Sequence, residues 1–305
     1  MIEVQNLTKR FGDTAAVDDV TFTVRPGVVT GFLGPNGAGK TTTLRAVVGL
    51  DRPTSGTTTV NGTRLQQHAA PLRELGVLLD AGNLQPGRSA RAHLSAIAAT
   101  HGIGRRRVDE VLELAGIQEV ARRRAGKFSL GMRQRLGIAA ALLGDPQTVV
   151  LDEPINGLDP DGVIWVRNLL KQLASEGRTV FLSSHLMTEM SLTADHLIVI
   201  GRGRLIADAP LADIMAATDQ SRVAVRTPHA SALTAALLAH GVTVTAVTTD
   251  RLEVSGMDAP AIADVAARIG ARVHALTTHA TSLEDAYLSL TESSVQYRAS
   301  APTTS

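Results

Sequence analysis

Cysteine is missing from this 305-residue chain, which excludes disulfides and thiol chemistry and suits a reducing compartment. Long apolar runs are missing too: none reaches the roughly 18 residues that a membrane-crossing helix needs. The opening residues, Met1-Ile2-Glu3-Val4, lack the pattern of a secretory signal, so a soluble, cytoplasmic chain is expected. Nor is there a marked charge of either sign. A formal net charge of +1 argues against a polyanion-binding surface as the main function, and no nucleic-acid partner is expected. Arg105-Arg106-Arg107 and Arg122-Arg123-Arg124 read as solvated helix ends. No internal repeat is visible. The length suits two domains, or one large domain with an appendix.

What is present is concentrated in a few segments. Gly34-Pro35-Asn36-Gly37-Ala38-Gly39-Lys40-Thr41-Thr42 fits G-x-x-x-x-G-K-[ST] and predicts a nucleotide-binding P-loop. A cradle for a triphosphate needs backbone N–H groups turned inward, at positions where a Cβ would crowd the phosphates. Lys40 is placed to reach the β- and γ-phosphates, and the Thr41 hydroxyl to ligate Mg²⁺. The context agrees. Val28 to Leu33 reads as a short buried strand, and Thr41 to Val48 as a helix whose N-terminus meets the phosphates. A glycine-rich turn with no ligand is the plain alternative, and this strand–loop–helix setting weighs against it.

A second segment, Thr148-Val149-Val150-Leu151-Asp152-Glu153-Pro154, is an apolar strand that delivers two carboxylates to its C-terminal edge. In a nucleotide–Mg²⁺ site one carboxylate joins the metal's shell and another orients or deprotonates the attacking water. Asp152 suits the first role and Glu153 the second. In the third segment, Phe128-Ser129-Leu130-Gly131-Met132-Arg133-Gln134-Arg135, Ser129 is a good N-cap for a helix running through Leu143. A helix start with a small residue and a glycine can bind phosphate, although an ordinary capped helix has the same local sequence.

The organisation around these segments is α/β. Residues 2–24 read as antiparallel strands, with Val20, Phe22 and Val24 alternating with threonines. Asn61-Gly62 after Thr57–Val60 is a hairpin-turn signal. Val108, Val111, Leu112 and Ala115 fall at helical spacing, within an inserted helical subdomain over about 88–145. Thr148–Leu151 and Thr179–Leu182 are buried parallel strands, with a helix between them capped by Asp159 and started by Pro160. Residues 1–218 are thus read as the nucleotide-binding domain. Over 219–292, strands at Val223–Arg226, Val242–Val247, Arg251–Val254 and Arg272–Leu276 alternate with helices at Ala230–His240 and Ala259–Ile269. That β-α-β-β-α-β order fits a ferredoxin-like α+β accessory domain. A disordered tail is expected over 293–305.

Taken in order and spacing, the P-loop, the Ser129–Gly131 helix start, Asp152-Glu153, Asn156-Gly157-Leu158-Asp159 and His185 resemble the ATP-binding subunits of ABC transporters. The resemblance covers about residues 1–215. The Phe128-Ser129-Leu130-Gly131-Met132 wording and the closing Thr281-Ser282-Leu283-Glu284-Asp285-Ala286-Tyr287 look most like bacterial drug- and antibiotic-exporting subunits. The resemblance implies a P-loop ATPase core with an antiparallel β subdomain. It also implies a homodimer, or paired ATPase subunits, closing head to tail over two ATP molecules. A separate polytopic permease then holds the protein at the cytoplasmic face of the membrane. It further implies that Ser129 and Gly131 meet the γ-phosphate bound by the other protomer. Asp159 communicates across the dimer, His185 contacts γ-phosphate and water, and Phe11 stacks on adenine. The Gly82–Arg88 loop resembles the permease-docking region, with Asn83 as a cross-linking position.

Two residues depart from the family pattern. Leu130 stands where a glycine is common, and Asp80, after Gly76–Leu79, stands where a metal-sensing glutamine is expected. Asp80 can still ligate Mg²⁺, and its charge strengthens metal attraction while weakening attraction for the nucleotide anion. The rival readings are a soluble ABC-type ATPase acting on ribosomes or nucleic acid, an importer subunit and a small-molecule kinase. One P-loop and no long heptad repeat weigh against the first. A kinase has no use for the Ser129–Gly131 and Asn156–Asp159 segments.

Overall fold

The computed structural model describes residues 1–80, 84–217, 222–279 and 282–291. The expected tail over 293–305, Thr281, and Gly82 and Asn83 of the expected docking loop lie outside the described residues. Two compact units divide at Leu211 and Ala212.

In the first unit, β1 (Ile2–Phe11), β2 (Thr14–Val24), β3 (Val29–Leu33), α1 (Lys40–Val47) and β4 (Ser55–Val60) come first. They are followed by α2 (Pro71–Glu74), β5 (Leu75–Leu78), α3 (Ala90–Thr100), α4 (Arg105–Leu114) and α5 (Leu130–Ala141). Then come β6 (Thr148–Asp152), α6 (Pro160–Ser175), β7 (Thr179–Ser183), α7 (Met187–Thr193), β8 (His196–Gly201) and β9 (Arg204–Pro210), while α8 (Leu211–Ala217) starts at the division and runs in the second unit.

Two sheets result. Strands β2-β1-β4 form an antiparallel sheet, and β5-β6-β7-β3-β8-β9 a six-stranded one that is parallel except for the β8–β9 pair. The parallel strands carry near-continuous apolar runs because both faces are covered, and every residue of β3 and β7 is buried. Phe22 of the antiparallel sheet packs on Phe32 and Phe181 of the parallel one, ring centroids 5.3–5.8 Å apart. The rings are tilted by 36–47° to one another and form an aromatic cluster that joins the two sheets.

Strand β4 departs from the hairpin expected at Asn61-Gly62. The turn itself is there: Asn61 and Gly62 have φ of 50° and 82°, and Val60 and Thr63 exchange backbone hydrogen bonds. No second arm follows, since a 3-10 turn begins at Leu65 and β4 pairs with β1 instead. Turn chemistry fixes the reversal of the chain, not what the reversed chain pairs with.

The second unit contains β10 (Arg222–Arg226), α9 (Ala230–Leu238), β11 (Thr243–Thr248), β12 (Arg251–Ser255), α10 (Ala259–Arg268), β13 (Ala275–His279) and α11 (Leu283–Thr291). Its antiparallel sheet has the spatial order β11-β12-β10-β13, the ferredoxin-like arrangement of a β-α-β-β-α-β chain. Val223, Val225, Leu252 and Val254 pack beneath Leu233, Leu237, Ile262 and Val265. The last strand starts at Ala275, three residues later than the apolar pattern suggests. Thr227 Oγ1 donates to the Arg272 carbonyl at 2.6 Å and the Arg272 N–H donates to His229 Nδ1, so this stretch is tied to the end of β10 before the ladder begins. Asp258 caps α10, accepting from the Ala261 N–H at 2.9 Å. Asp258→Ala is expected to cost about 1 kcal/mol of local stability. Hydrogen exchange at the α10 amides would read this as faster exchange in that helix.

Candidate functional site

Three loops leave the C-terminal edge of the parallel sheet side by side. Register sets Asp152, the last residue of β6, against Ser183, the last of β7, and Ser183 against Phe32 near the end of β3. Ligands in open α/β sheets collect at this edge. A pocket of about 470 Å³ opens there, lined by residues 36–42 of the P-loop together with Ala16, Asp152, Glu153, Asn156 and His185.

The P-loop has the backbone an anion needs. Helix α1 begins at Lys40 and no side chain caps it, which leaves its first-turn N–H groups for a ligand. Its N-cap, Gly39, has φ of 102°, and a Cβ there would stand 2.4 Å from the Ala16 carbonyl oxygen. Only glycine meets both demands. Lys40 is buried, and its Nζ donates to the Gly34 and Pro35 carbonyls at 2.6 and 3.2 Å. Burial lowers its pKa below the ordinary lysine value, partly opposed by the carboxylates of Glu153 and Asp152. A cation held at the mouth of such a cradle fits a phosphate chain.

The carboxylates are held differently. Asp152 accepts from the Thr41 hydroxyl at 3.1 Å and, through its other oxygen, from Ser183 Oγ. These two hard oxygen donors, Thr41 and Asp152, stand together beside the loop, and oxygen ligands of this kind fit Mg²⁺ completed by phosphate and water. Glu153 stands next to the sheet edge with its Oε2 2.9 Å from His185 Nδ1. Its backbone is left-handed, with φ of 51°.

Ser129, Gly131 and Asp159 lie apart from this lining and form a second group. Ser129 caps α5, accepting from Met132 N–H at 3.2 Å, and Asp159 caps α6, accepting from Gly162 N–H at 3.0 Å. Gly131 rests against the turn before Asp159, where a Cβ on it would be 3.0 Å from the Gly157 carbonyl oxygen. Phe11 is also outside the pocket lining. It sits at the β1–β2 turn, 55% exposed, with Lys9 Nζ 5.0 Å from its ring centroid. Asp80 is exposed two residues past the end of β5 and does not line the pocket.

Ser183 and the role of Gln134 escaped the sequence reading, which named Asn156 only within the Asn156–Asp159 segment. Ser183 was legible as a hydroxyl ending an apolar strand beside the expected Asp152 strand. Gln134 Nε2, which donates to the Glu153 carbonyl at 2.9 Å, gives no such signal in a helix of mixed composition. A second concavity of about 500 Å³, between the end of α1 and β4, has Asp51 as its only carboxylate, and that is paired with Arg45.

The family model for the ABC transporter matches residues 17–156, and one for a domain of unknown function (DUF8746) matches 221–284. Over 213 residues, 69% of the chain and 70% of the relative, the chain is 42% identical to the bacitracin transport ATP-binding protein BcrA of Bacillus licheniformis. The chain belongs to the ABC transporter ATP-binding family. A Nod factor export ATP-binding protein I from Cupriavidus metallidurans is 40% identical over 215 residues, covering 68% of the chain and 70% of the relative. Among solved structures, the dimeric ATP-binding cassette MJ0796 in a post-hydrolysis state bound to ADP and Pi is similar. It has a TM-score of 0.64 and 25% identity, over 69% of this chain and 99% of that one. The protein is therefore an ATP-binding ATPase with a P-loop core.

Proposed function

We propose that this chain is the ATPase subunit of an exporter of drugs, antibiotics or lipid-like compounds, working at the cytoplasmic face of the membrane with a separate polytopic permease. One observation carries the reading. Lys40, Thr41, Asp152, Glu153 and His185 gather at the P-loop pocket, while Ser129 and Gly131 stand outside its lining. A phosphate cradle assembled without its helix-start partner is what a site completed by a second protomer requires. In that arrangement two copies pair head to tail, and Ser129 and Gly131 of one close over the nucleotide held by the other. The relatives named for bacitracin transport and Nod factor export support the direction of transport. Among the described residues no helix is long and apolar enough to cross a membrane, so the cargo's path lies in a partner.

The pocket lining supports the following roles for Lys40, Thr41, Asp152, Glu153 and His185, and those of Asp159 and Phe11 rest on the family resemblance. Lys40 and the first-turn N–H groups of α1 offset phosphate charge, and Thr41 and Asp152 hold Mg²⁺, which supplies further neutralisation of the transferring phosphoryl group. Glu153 acts on the attacking water, and His185, 2.9 Å from it, holds the carboxylate and reaches for the γ-phosphate. Asp159 carries the state of one site towards the other, and Phe11 offers its exposed ring to adenine. Transport requires that nucleotide bind the closed pair more tightly than the open one, and the composite sites supply that difference.

Asp80 stands where the resemblance puts a metal-sensing side chain, although it lies outside the lining of the pocket. Asp80→Ala is expected to lower Mg²⁺-dependent turnover and move the magnesium titration to higher concentration; unchanged titrations and rates would remove Asp80 from the site. The reading as a whole is tested by recovering the Glu153→Gln protein from native membranes with ATP and identifying what accompanies it. A polytopic membrane protein is the expected companion. Ribosomes, nucleic acid or soluble partners alone would overturn the assignment in favour of a non-transport ATPase.

A further inference from the structure

Glu153 occupies left-handed backbone space, φ 51°, which a glutamate enters only at a cost in strain. Such a conformation persists where its surroundings hold it, and here the residue is held at both ends. Its N–H donates to the Ser183 carbonyl at 3.2 Å and meets Ser183 Oγ at 3.1 Å. Its carbonyl accepts from the Asn156 N–H at 3.2 Å and from Gln134 Nε2 at 2.9 Å. Ser183 belongs to β7 and Asn156 to the same turn as Glu153. Only Gln134 comes from α5, and it is the shortest of these contacts.

Gln134 is unusual for its setting, a long polar side chain only 4% exposed, on the face of α5 that also buries Ile138 and Ala141. A buried amide is costly unless its hydrogen bonds are made, so its donor has a reason to stay on the Glu153 carbonyl. The same helix touches the same turn a second time. A Cβ on Gly157 would lie 2.3 Å from Leu130 Cδ2, and Gly131 presses on the Gly157 carbonyl. Residues 153–159 are therefore fastened to α5 near both ends, at Gln134 and at Leu130–Gly131.

We propose that Gln134 is a positioning residue: it locks the Glu153 peptide in its left-handed state and so couples the carboxylate to the helix that begins at Ser129. The proposal rests on the reading of Glu153 as the group acting on water. Without the amide donor the Glu153 carbonyl keeps one longer bond, and the peptide is free to relax towards ordinary φ. Rotation there swings the Cα–Cβ bond and carries the carboxylate away from His185 and the pocket. The binding side of the site, Lys40 and the α1 N-terminus, does not depend on that rotation. Loss of Gln134 thus acts on turnover and leaves nucleotide affinity alone.

The test uses the full chain with Gln134→Met, which keeps the volume and drops the donor, and with Gln134→Leu as a second donor-less variant should the first fail to fold. Single-turnover hydrolysis and ATP binding are measured for each, alone and combined with Glu153→Gln. The expected result is at least a tenfold fall in the rate with ATP affinity within twofold of wild type. In the Glu153→Gln background the expected further loss is less than twofold, because both changes act on one carboxylate. Gln134→His, which places an N–H at similar reach, is expected to recover most of the rate. An unchanged rate in the donor-less variants overturns the proposal, as does an equal fold-loss in both backgrounds, which marks a general structural role. Wild-type turnover in Glu153→Gln alone would instead overturn the catalytic reading of Glu153, a separate failure.

Discussion

Glu153→Gln is expected to reduce ATP turnover by about 10²- to 10⁴-fold, the usual worth of a positioned general base, while nucleotide binding persists. Glutamine keeps the shape and the hydrogen-bonding reach of glutamate but cannot take a proton. The backbone bonds from Ser183 and Gln134 that fix the residue are untouched by the exchange. Its contact with His185 survives as a neutral one, since the amide can still meet Nδ1 at the present 2.9 Å. Removing the negative charge takes away one of the two carboxylates that favour the Lys40 ammonium, but it also removes a like charge facing the phosphates, and Asp152 still supports the cation. Binding by equilibrium titration and hydrolysis by phosphate release should therefore separate cleanly. If turnover stays at the wild-type level, the water is activated by another group, and His185 is the next to test.

Much of the site was readable before any fold was known, because its chemistry is local in sequence. The P-loop needs consecutive backbone N–H groups, and so it is written in consecutive residues, Gly34 to Thr42. Asp152 follows from an apolar strand that must end in solvent, and the N-caps at Ser129 and Asp159 follow from side chains that satisfy helix-start donors. What escaped depends on contacts distant in sequence. The bond between Ser183 and Asp152 spans a strand pairing, and that between Gln134 and Glu153 joins a helix to a turn 19 residues away. A hydroxyl ending an apolar strand gives a hint at Ser183, and a glutamine inside a helix of mixed composition gives none. Boundaries slipped where tertiary ties overrode the pattern, as at Arg272, which the apolar alternation assigns to a strand and Thr227 holds in a loop. The Asn61-Gly62 turn formed, yet only the sheet order shows that β4 turns away from a hairpin and pairs with β1. Asp80 does stand past the end of β5, as the sequence implies, but outside the pocket lining, which the sequence alone does not show.

Lys40→Ala should act on the other half of the site, on affinity itself. Nζ is the one buried cation of the P-loop, held 2.6 Å from the Gly34 carbonyl and ready to exchange that acceptor for a phosphate oxygen. A hydrogen bond to a charged group is worth about 1.5–3 kcal/mol net. At about 1.4 kcal/mol per decade, its loss raises the ATP dissociation constant roughly ten- to hundredfold. Lys40→Arg should not restore it fully, since a planar guanidinium cannot fold into the space of a compact ammonium between two carbonyls. The pH dependence gives an independent signature. The ammonium is the form that binds an anion, so this contribution is complete below Lys40's pKa and lost as pH rises through it. Burial moves that limb down from the ordinary lysine range, and the two carboxylates oppose the movement. The wild-type protein should therefore lose affinity on the alkaline side, earlier than an exposed lysine would cause, and Lys40→Ala should lack that limb altogether. Equal affinities for wild type and Lys40→Ala across the pH range would mean that the P-loop backbone alone holds the phosphates, with Lys40 serving only to brace the empty loop.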